Sequence, residues 1–497
     1  MFPLLAVLAG LTLARLSLPL AGVLVAGAAV ILLILIQPLV GLALTLLVGP
    51  LGALENVTLG QTLVDSGQIL LLITLAAWLA RGLLRGRVKL TPTFLNVPLA
   101  LFLYVMALSL LQASSLEVGL KELLKWLEMG LVMLMVTDLA SGPVSEWASG
   151  RETRLASSQT RKLAAMLLLA GLSQALVGIW QFGLRGDGPE HFLVLGRFYR
   201  AYGTFEQPNP FGGFMNLTAL LGLGTLLGLL ASFWQCRGTE ERKSATNHCL
   251  LFTVYWVLFV VLSTAATGLA LLFSWSRGAW LGFVVGVGVL ALFWPKKRWQ
   301  GVLLVVVVAV SLGAAVQVGL MPATITERLS GFGQDLRFGD VRGLDINDAN
   351  YAVLERLAHW QAALAMAHDN LWLGVGFGNY EPAYRDYALI NWPYPLGHAH
   401  NYYLNILAEA GVAGLVVYTA FWAAVFWQTL RVLSRLDWPQ RGIALGLLAA
   451  WTALSAHHLV DKLYVNNVYI HMGVMLGLLQ LLDQQAESHI HNGDANC

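Results

Sequence analysis

The chain has 497 residues, of which 57% are hydrophobic and 12% charged, with a mean hydropathy of +0.67. Soluble domains carry about 25% charged residues, so this composition excludes a soluble globular chain and makes lipid the solvent. The net charge is +2, and the Lys and Arg are scattered over short loops, a pattern without the basic stripe that a nucleic-acid partner requires.

Apolar runs long enough to cross a bilayer, about 20 residues each, recur along the whole chain. In order, the predicted spans lie near 2–18, 20–36, 38–54, 67–84, 95–113, 118–138, 163–181, 209–233, 249–273, 278–294, 300–320, 405–428, 442–459 and 464–482. They are fourteen in number, within a range of 12–14. Continuous runs of this length exclude an outer-membrane barrel, whose strands alternate over about 10 residues. The expected fold is therefore all-α: a polytopic transmembrane helical bundle. The opening run is broken only by Arg15, without a basic start or a small-residue cleavage site, so it reads as a retained first span.

Basic loops stay on the cytoplasmic side, and five of them share one side under this count. They carry Arg81, Arg85, Arg87 and Lys89; Arg151, Arg154, Arg161 and Lys162; Arg237, Arg242 and Lys243; Lys296, Lys297 and Arg298; and Arg431, Arg435 and Arg441. Both termini then lie in the cytoplasm. Cys236, Cys249 and Cys497 have no metal-ligand spacing and form no even disulfide set. The first two flank a loop on the side where thiols stay reduced. Three regions are expected: N-terminal transmembrane helices over 1–160, a core over 161–430 containing a large outer loop at 321–402, and C-terminal helices with a cytoplasmic tail over 431–497.

The outer side receives the segment 183–208 and the loop 321–402. The loop carries His359, His368, His398 and His400 with Arg328, Arg337, Arg342, Arg356 and Arg385. It is too rich in aromatics for disorder, with Trp360, Trp372, Phe377, Tyr380, Tyr384, Trp392 and Tyr394. The spacing of Leu354, Leu357, Ala358, Gln361 and Leu364 predicts a helix over 351–368 lying at the membrane surface.

The strongest local signal begins where this loop re-enters the membrane, at His398-Ala-His400-Asn401, and runs on to Glu409, Gly411 and Gly414. It reads as a helix N-terminus with ring nitrogens facing outer water or a cavity, and with glycines that permit close helix packing. Taken alone, His398 and His400 are better explained as interfacial side chains capping a helix. Three features beside them point to chemistry. Arg277, in Ser274-Trp-Ser276-Arg277-Gly278, interrupts an apolar stretch where a charge must pair or line a wet cavity. Arg356 stands one turn from His359 and Trp360. Arg200 lies in a polar segment that enters the next span through Pro208 and Pro210.

Guanidinium groups gathered on one face suit an anion such as a lipid phosphate. A histidine beside them can serve as general base in a group transfer. Asp335, Asp340, Asp345, Asp348 and Asp369 are spread out, with no facial His/carboxylate cluster, so no metal is expected. Gly374-Val-Gly376-Phe-Gly378 follows no βα unit and reads as a tight turn rather than a nucleotide site, so no cofactor is expected either.

The pattern His400-Asn401, nine residues, Gly411, two residues, Gly414 resembles the signature of the O-antigen ligase and polymerase superfamily of membrane glycosyltransferases. Three further segments resemble that family: Tyr202-Gly-Thr-Phe-Glu-Gln-Pro-Asn209, Ser276-Arg277-Gly278, and Asp369-Asn-Leu-Trp-Leu-Gly374-Val-Gly376-Phe-Gly378. In the last, Leu371-Trp372 replaces the usual Pro, which bears on acceptor fit. The resemblance covers about 160–430. It implies a glycosyltransferase C-like enzyme of the bacterial cytoplasmic membrane, with its site on the outer face. Such an enzyme uses an undecaprenyl-pyrophosphate glycan donor and a lipid, protein or glycan acceptor, needs no metal, and inverts the anomeric centre in polysaccharide and cell-envelope biosynthesis. His400 matches the family's proposed base, and Arg277, Arg356 and Arg200 resemble its pyrophosphate-holding arginines, with His398, Asn401, Gly411 and Gly414 in support. A polymerase of repeat units shares these motifs, and an inorganic-carbon (bicarbonate) carrier is the reading from a different class. Broken helices and ion sites at the bilayer midplane would mark that carrier.

Overall fold

A computed structural model describes residues 14–494 apart from 53, 56–63, 87–90, 141–150, 237–246, 296, 321–322, 325, 327–338 and 348–349. The described residues form fifteen α-helices and one two-stranded antiparallel hairpin. The first eight helices are α1 Leu18–Ile36, α2 Pro38–Val48, α3 Ser66–Leu84, α4 Asn96–Ser109, α5 Leu116–Ala140, α6 Arg151–Gly183, α7 Pro208–Cys236 and α8 Asn247–Phe273. There follow α9 Arg277–Phe293, α10 Arg298–Gln317, α11 Tyr351–Asp369, α12 Tyr380–Tyr387, α13 Tyr402–Arg435, α14 Gln440–His457 and α15 Val468–Asp494. The hairpin pairs β1 Leu193–Val194 with β2 Phe198–Tyr199.

Every expected span from 20–36 onward coincides with one of these helices. The span 2–18 falls almost wholly outside the described residues. So do Arg87, Lys89, Arg237, Arg242, Lys243, Lys296, Arg328, Arg337, Asp335, Asp348 and Cys497. Among the described residues, seven helices are long and apolar enough to cross a membrane on their own, namely α1, α3, α6, α7, α8, α10 and α13. Shorter apolar helices are α2 with its 3-10 extension, α4 and α9. The others are more polar or more enclosed: α5 carries Glu117, Lys121, Glu122, Lys125 and Glu128 in its first half. The chain is a multi-pass helical membrane protein.

Its centre is the contact of α7 and α9 with α14, which is buried along nearly its whole length. Gly224 and Gly228 of α7 face Gly446 and Gly442 of α14 so closely that a Cβ would meet backbone. Small residues are what let membrane helices approach in this way. At the periphery, α1 and α10 leave almost all of their surface for lipid. Arg441 Nη2 donates to Phe293 O at 3.3 Å, which brings two of the basic loops to one end of the bundle.

At the other end the connections lace together. Asn379 Oδ1 accepts from Ser115 N–H at 2.7 Å, and Tyr402 N–H donates to His458 O at 2.8 Å. Asn466 Nδ2 reaches Phe205 O at 3.1 Å. The predicted loop helix appears as α11, but its buried face differs from the expected one. Leu354, Leu357, Ala358, His359, Trp360, Ala362, Ala363, Met366 and Ala367 are buried, whereas Leu364 is 44% exposed and Gln361 Nε2 turns outward to Gly339 O at 2.9 Å. The helix is enclosed by α12 and α13 instead of resting on one flat surface, so its buried stripe is wider than the sequence pattern implied.

Gly411 and Gly414 belong to α13, and only the second acts as expected, packing so closely that an added Cβ would lie 3.1 Å from Met106 Cε. At Gly411 the helix is broken, with φ 66° and ψ −166°. The segment 371–375 docks into the break: Val375 N–H donates to Ala408 O at 2.9 Å, and Val412 N–H to Leu371 O at 2.8 Å. Gly374, at φ +65°, has no room for a Cβ against Ala408 O. Gly374→Ala should therefore destabilise the fold by about 1–3 kcal/mol, combining left-handed strain with a backbone clash. A thermal midpoint in detergent equal to that of wild type would contradict the docking.

Candidate active site

The first turn of α13 fixes the histidine segment. Asn401 Oδ1 accepts from the N–H groups of Tyr403 and Leu404 at 3.0 and 3.1 Å, an N-cap that satisfies two otherwise unpaired donors. Asn405 Oδ1 accepts from Ala399 N–H at 3.1 Å. His400, between them, takes a left-handed φ of 50°.

The two histidines are held face to edge, with ring centroids 4.5 Å apart. His400 N–H donates to His398 Nδ1 at 3.0 Å, so that nitrogen carries a lone pair and the proton of the neutral ring sits on Nε2. His398 Nε2 lies 3.5 Å from Oδ1 of Asp461, in the turn between α14 and α15. His359 of α11 closes the other side, with its ring 5.4 Å from that of His400 and its Nδ1 2.9 Å from the Tyr380 hydroxyl. The Tyr380 hydroxyl also donates to His359 O at 3.2 Å.

His400 Nε2 is thus enclosed and has no hydrogen-bond partner among the described residues. The ring does not open to outer water as the sequence suggested. Burial pushes His400 well below the usual 6.5, assisted by His398 and Arg356 and opposed by Asp461. Burial, with Lys462, His359 and Arg356, pushes His398 down to about 3. Burial alone pushes His359 down to about 4. All three rings are neutral at pH 7.

His398, His400 and Asp461 present ligand atoms within 4.8 Å of one another, a His/carboxylate group that the sequence reading did not anticipate. The tautomer argues against a cation there. A His398 ring that accepts at Nδ1 and is protonated at Nε2 has no lone pair left to ligate, and the fields of Arg356 and Lys462 bear on it. The arrangement is that of a carboxylate beside one histidine, backed onto a second whose nitrogen is bare.

The arginines divide. Arg356, one turn before His359, acts electrostatically on both His398 and His400. Arg277 opens α9 behind the N-cap Ser276. A Cβ on its neighbour Gly278 would lie 2.7 Å from His457 Cδ2, and His457 interacts in turn with Asp461 and Arg356. Arg200 Nε donates to Ser274 O at 2.9 Å and Nη2 to Asn209 Oδ1 at 3.2 Å, bracing the turn that presents Arg277. The sequence reading missed Asp461, Lys462, His457 and Glu122, and named Glu409 without giving it a role. The visible signal for three of them was His457-His458-Leu-Val-Asp461-Lys462, a run of ionisable groups between two apolar spans.

The sequence profile of the family described as O-antigen ligase matches residues 258–419. That stretch contains Arg277, Arg356, His359, His398, His400, Glu409, Gly411 and Gly414, and omits Glu122, Arg200, His457, Asp461 and Lys462. A search of curated proteins finds no match.

The depressed histidines have a consequence for stability. Each binds its proton in the unfolded chain near 6.5 and in the folded chain only well below that. Their contribution to stability is complete above pH 6.5 and is lost as pH falls below it, towards about 4 for His359 and about 3 for His398, by up to about 1.4 kcal/mol per pH unit for each ring. The thermal midpoint in detergent should fall between pH 7 and pH 5. A midpoint that held or rose would mean the rings are not buried neutral.

Proposed function

We propose that this chain, a member of the O-antigen ligase superfamily through residues 258–419, moves a glycan from a polyprenyl-pyrophosphate carrier to a lipid, protein or glycan acceptor at the outer face of the bacterial cytoplasmic membrane. The observation that carries this reading is the bare, enclosed His400 Nε2, backed by His398 and Asp461, within the field of Arg356.

In the proposed reaction the acceptor hydroxyl gives its proton to His400 Nε2 as its oxygen bonds the anomeric carbon. The bond from that carbon to the pyrophosphate oxygen breaks, and the electron pair leaves with the pyrophosphate. Arg356 and Arg277 stabilise its negative charge in a site of low dielectric. The resulting imidazolium is stabilised by Asp461 acting through His398, whose Nε2–H faces the carboxylate. A single displacement inverts the anomeric centre, and no metal takes part. Asn401, Gly411 and Gly414 hold the helix that bears the base, and Arg200 braces the turn that presents Arg277. The region 161–430 is proposed as the core, with the turn between α14 and α15 completing the site through Asp461.

A polymerase would run the same chemistry on a growing glycan. The break in α13 is the feature that a bicarbonate carrier would use to hold an ion. Its backbone groups are already paired with 371–375, which favours the enzyme.

The test is transfer by reconstituted protein from a polyprenyl-pyrophosphate oligosaccharide to envelope acceptors, read on a gel. A single mass shift identifies a ligase and a ladder a polymerase. His400→Ala should lower turnover by about 10²–10⁴-fold, the range for removal of a general base, with the fold intact. Arg277→Ala and Arg356→Ala should weaken donor use. Because His400 is held well below 6.5, the acid limb of the rate profile should lie well below that of an ordinary histidine. Full turnover by folded His400→Ala would remove the base assignment.

A further inference from the structure

Beneath the histidines lies a buried ionic group that the reaction above does not use. Lys462 Nζ stands 3.0 Å from Glu122 Oε1, with 11% and 7% of the two side chains exposed. The other Glu122 oxygen meets Lys125 Nζ at 2.7 Å. Burial opposes the charge on Lys462, but Glu122 and Glu409 outweigh it and raise its affinity for the proton. Two charges removed from water cost several kcal/mol each unless they are well paired, so a pair at this depth needs a reason beyond stability. The reason lies one residue away. Lys462 N–H donates to Asp461 Oδ1 at 2.8 Å, the same oxygen that faces His398 Nε2. Glu122 in turn packs against Gly378 so closely that a Cβ added there would lie 2.9 Å from its own Cβ. Glu409 Oε1 accepts from Tyr380 N–H at 3.2 Å, and Tyr380 contacts His359.

We infer that the Glu122–Lys462 ion pair is a positioning device for the catalytic base: α5, outside the matched segment, pins the 458–467 turn and thereby holds Asp461 against His398, which backs His400. This rests on the reading of His400 as the base. Glu122 and Lys462 are positioning residues that act through Asp461.

The experiment uses full-length protein in nanodiscs with Glu122→Gln, Lys462→Met and Lys462→Arg. Two readouts are taken on each: transfer kinetics, and diethyl pyrocarbonate labelling of the peptide bearing His398 and His400, quantified by mass spectrometry. The expected result for Glu122→Gln and Lys462→Met is a several-fold rise in labelling, and a fall in kcat of about ten-fold or more, the range for supporting groups around a site, with donor KM little changed. Lys462→Arg keeps the charge and should restore most of both. Should Lys462→Met fail to fold, the isosteric Glu122→Gln carries the same test. Unchanged labelling in folded Glu122→Gln overturns the inference whatever the activity, and raised labelling with unchanged kcat overturns its link to the base. If wild type itself transfers no glycan while labelling rises in the variants, the pin stands and the transferase reading fails.

Discussion

A helix can be broken inside a membrane only if something replaces the backbone hydrogen bonds that the break removes, because lipid offers none. In α13 that replacement is the segment 371–375, whose main-chain groups pair across the break at Gly411. Much of the architecture at this end of the bundle follows. The docked segment leads through Gly376 and Gly378, packed against Ala113 and Glu122, into Tyr380 and α12. It also fixes the short half of α13 that bears Glu409 at one end and is capped by Asn401 at the other. Of the motif's two glycines, Gly411 therefore serves as the site where two backbones meet, and Gly414 as a helix-packing residue.

That scaffold makes possible a polar cluster in surroundings that penalise polarity. His359, His398 and His400 stay neutral because they are enclosed, and enclosure strengthens every charge beside them. Asp461 and Arg356 thus exert on the rings an influence that water would screen at an open surface. If His400 is the base, as proposed, a ring kept neutral well below pH 6.5 is a weak base, but it is available throughout the neutral range, and its bare nitrogen would lose no partner to an incoming hydroxyl.

The parts of this molecule legible in the sequence are those encoded locally. Hydropathy over about 20 residues marks a span wherever it occurs, which is why the helices from 18–36 onward match their expected positions. His398, His400 and Asn401 stood out because polar groups preceded an apolar helical run, and Arg356 because it shared a helix with His359. What was hidden depends on contacts between distant segments. Nothing near Asp461 indicates that it faces His398, more than 60 positions earlier. The true buried face of α11 and the break at Gly411 were hidden for the same reason, since each is decided by a neighbour that packs from elsewhere in the chain.

The turn between the last two helices has a temporal consequence. Membrane helices are inserted as the chain is made, from the N-terminus onward, and His400 enters the bilayer surface with α13. Its supporting carboxylate arrives only after α14 has been threaded, on the residues just before α15. A ribosome-bound intermediate that already displays the histidines therefore lacks the group that orients them. A chain cut short after α13 would carry His398 and His400 without Asp461 beside them, so in the proposed reaction it would lack the carboxylate that backs the base, which arrives only when the polypeptide is nearly finished.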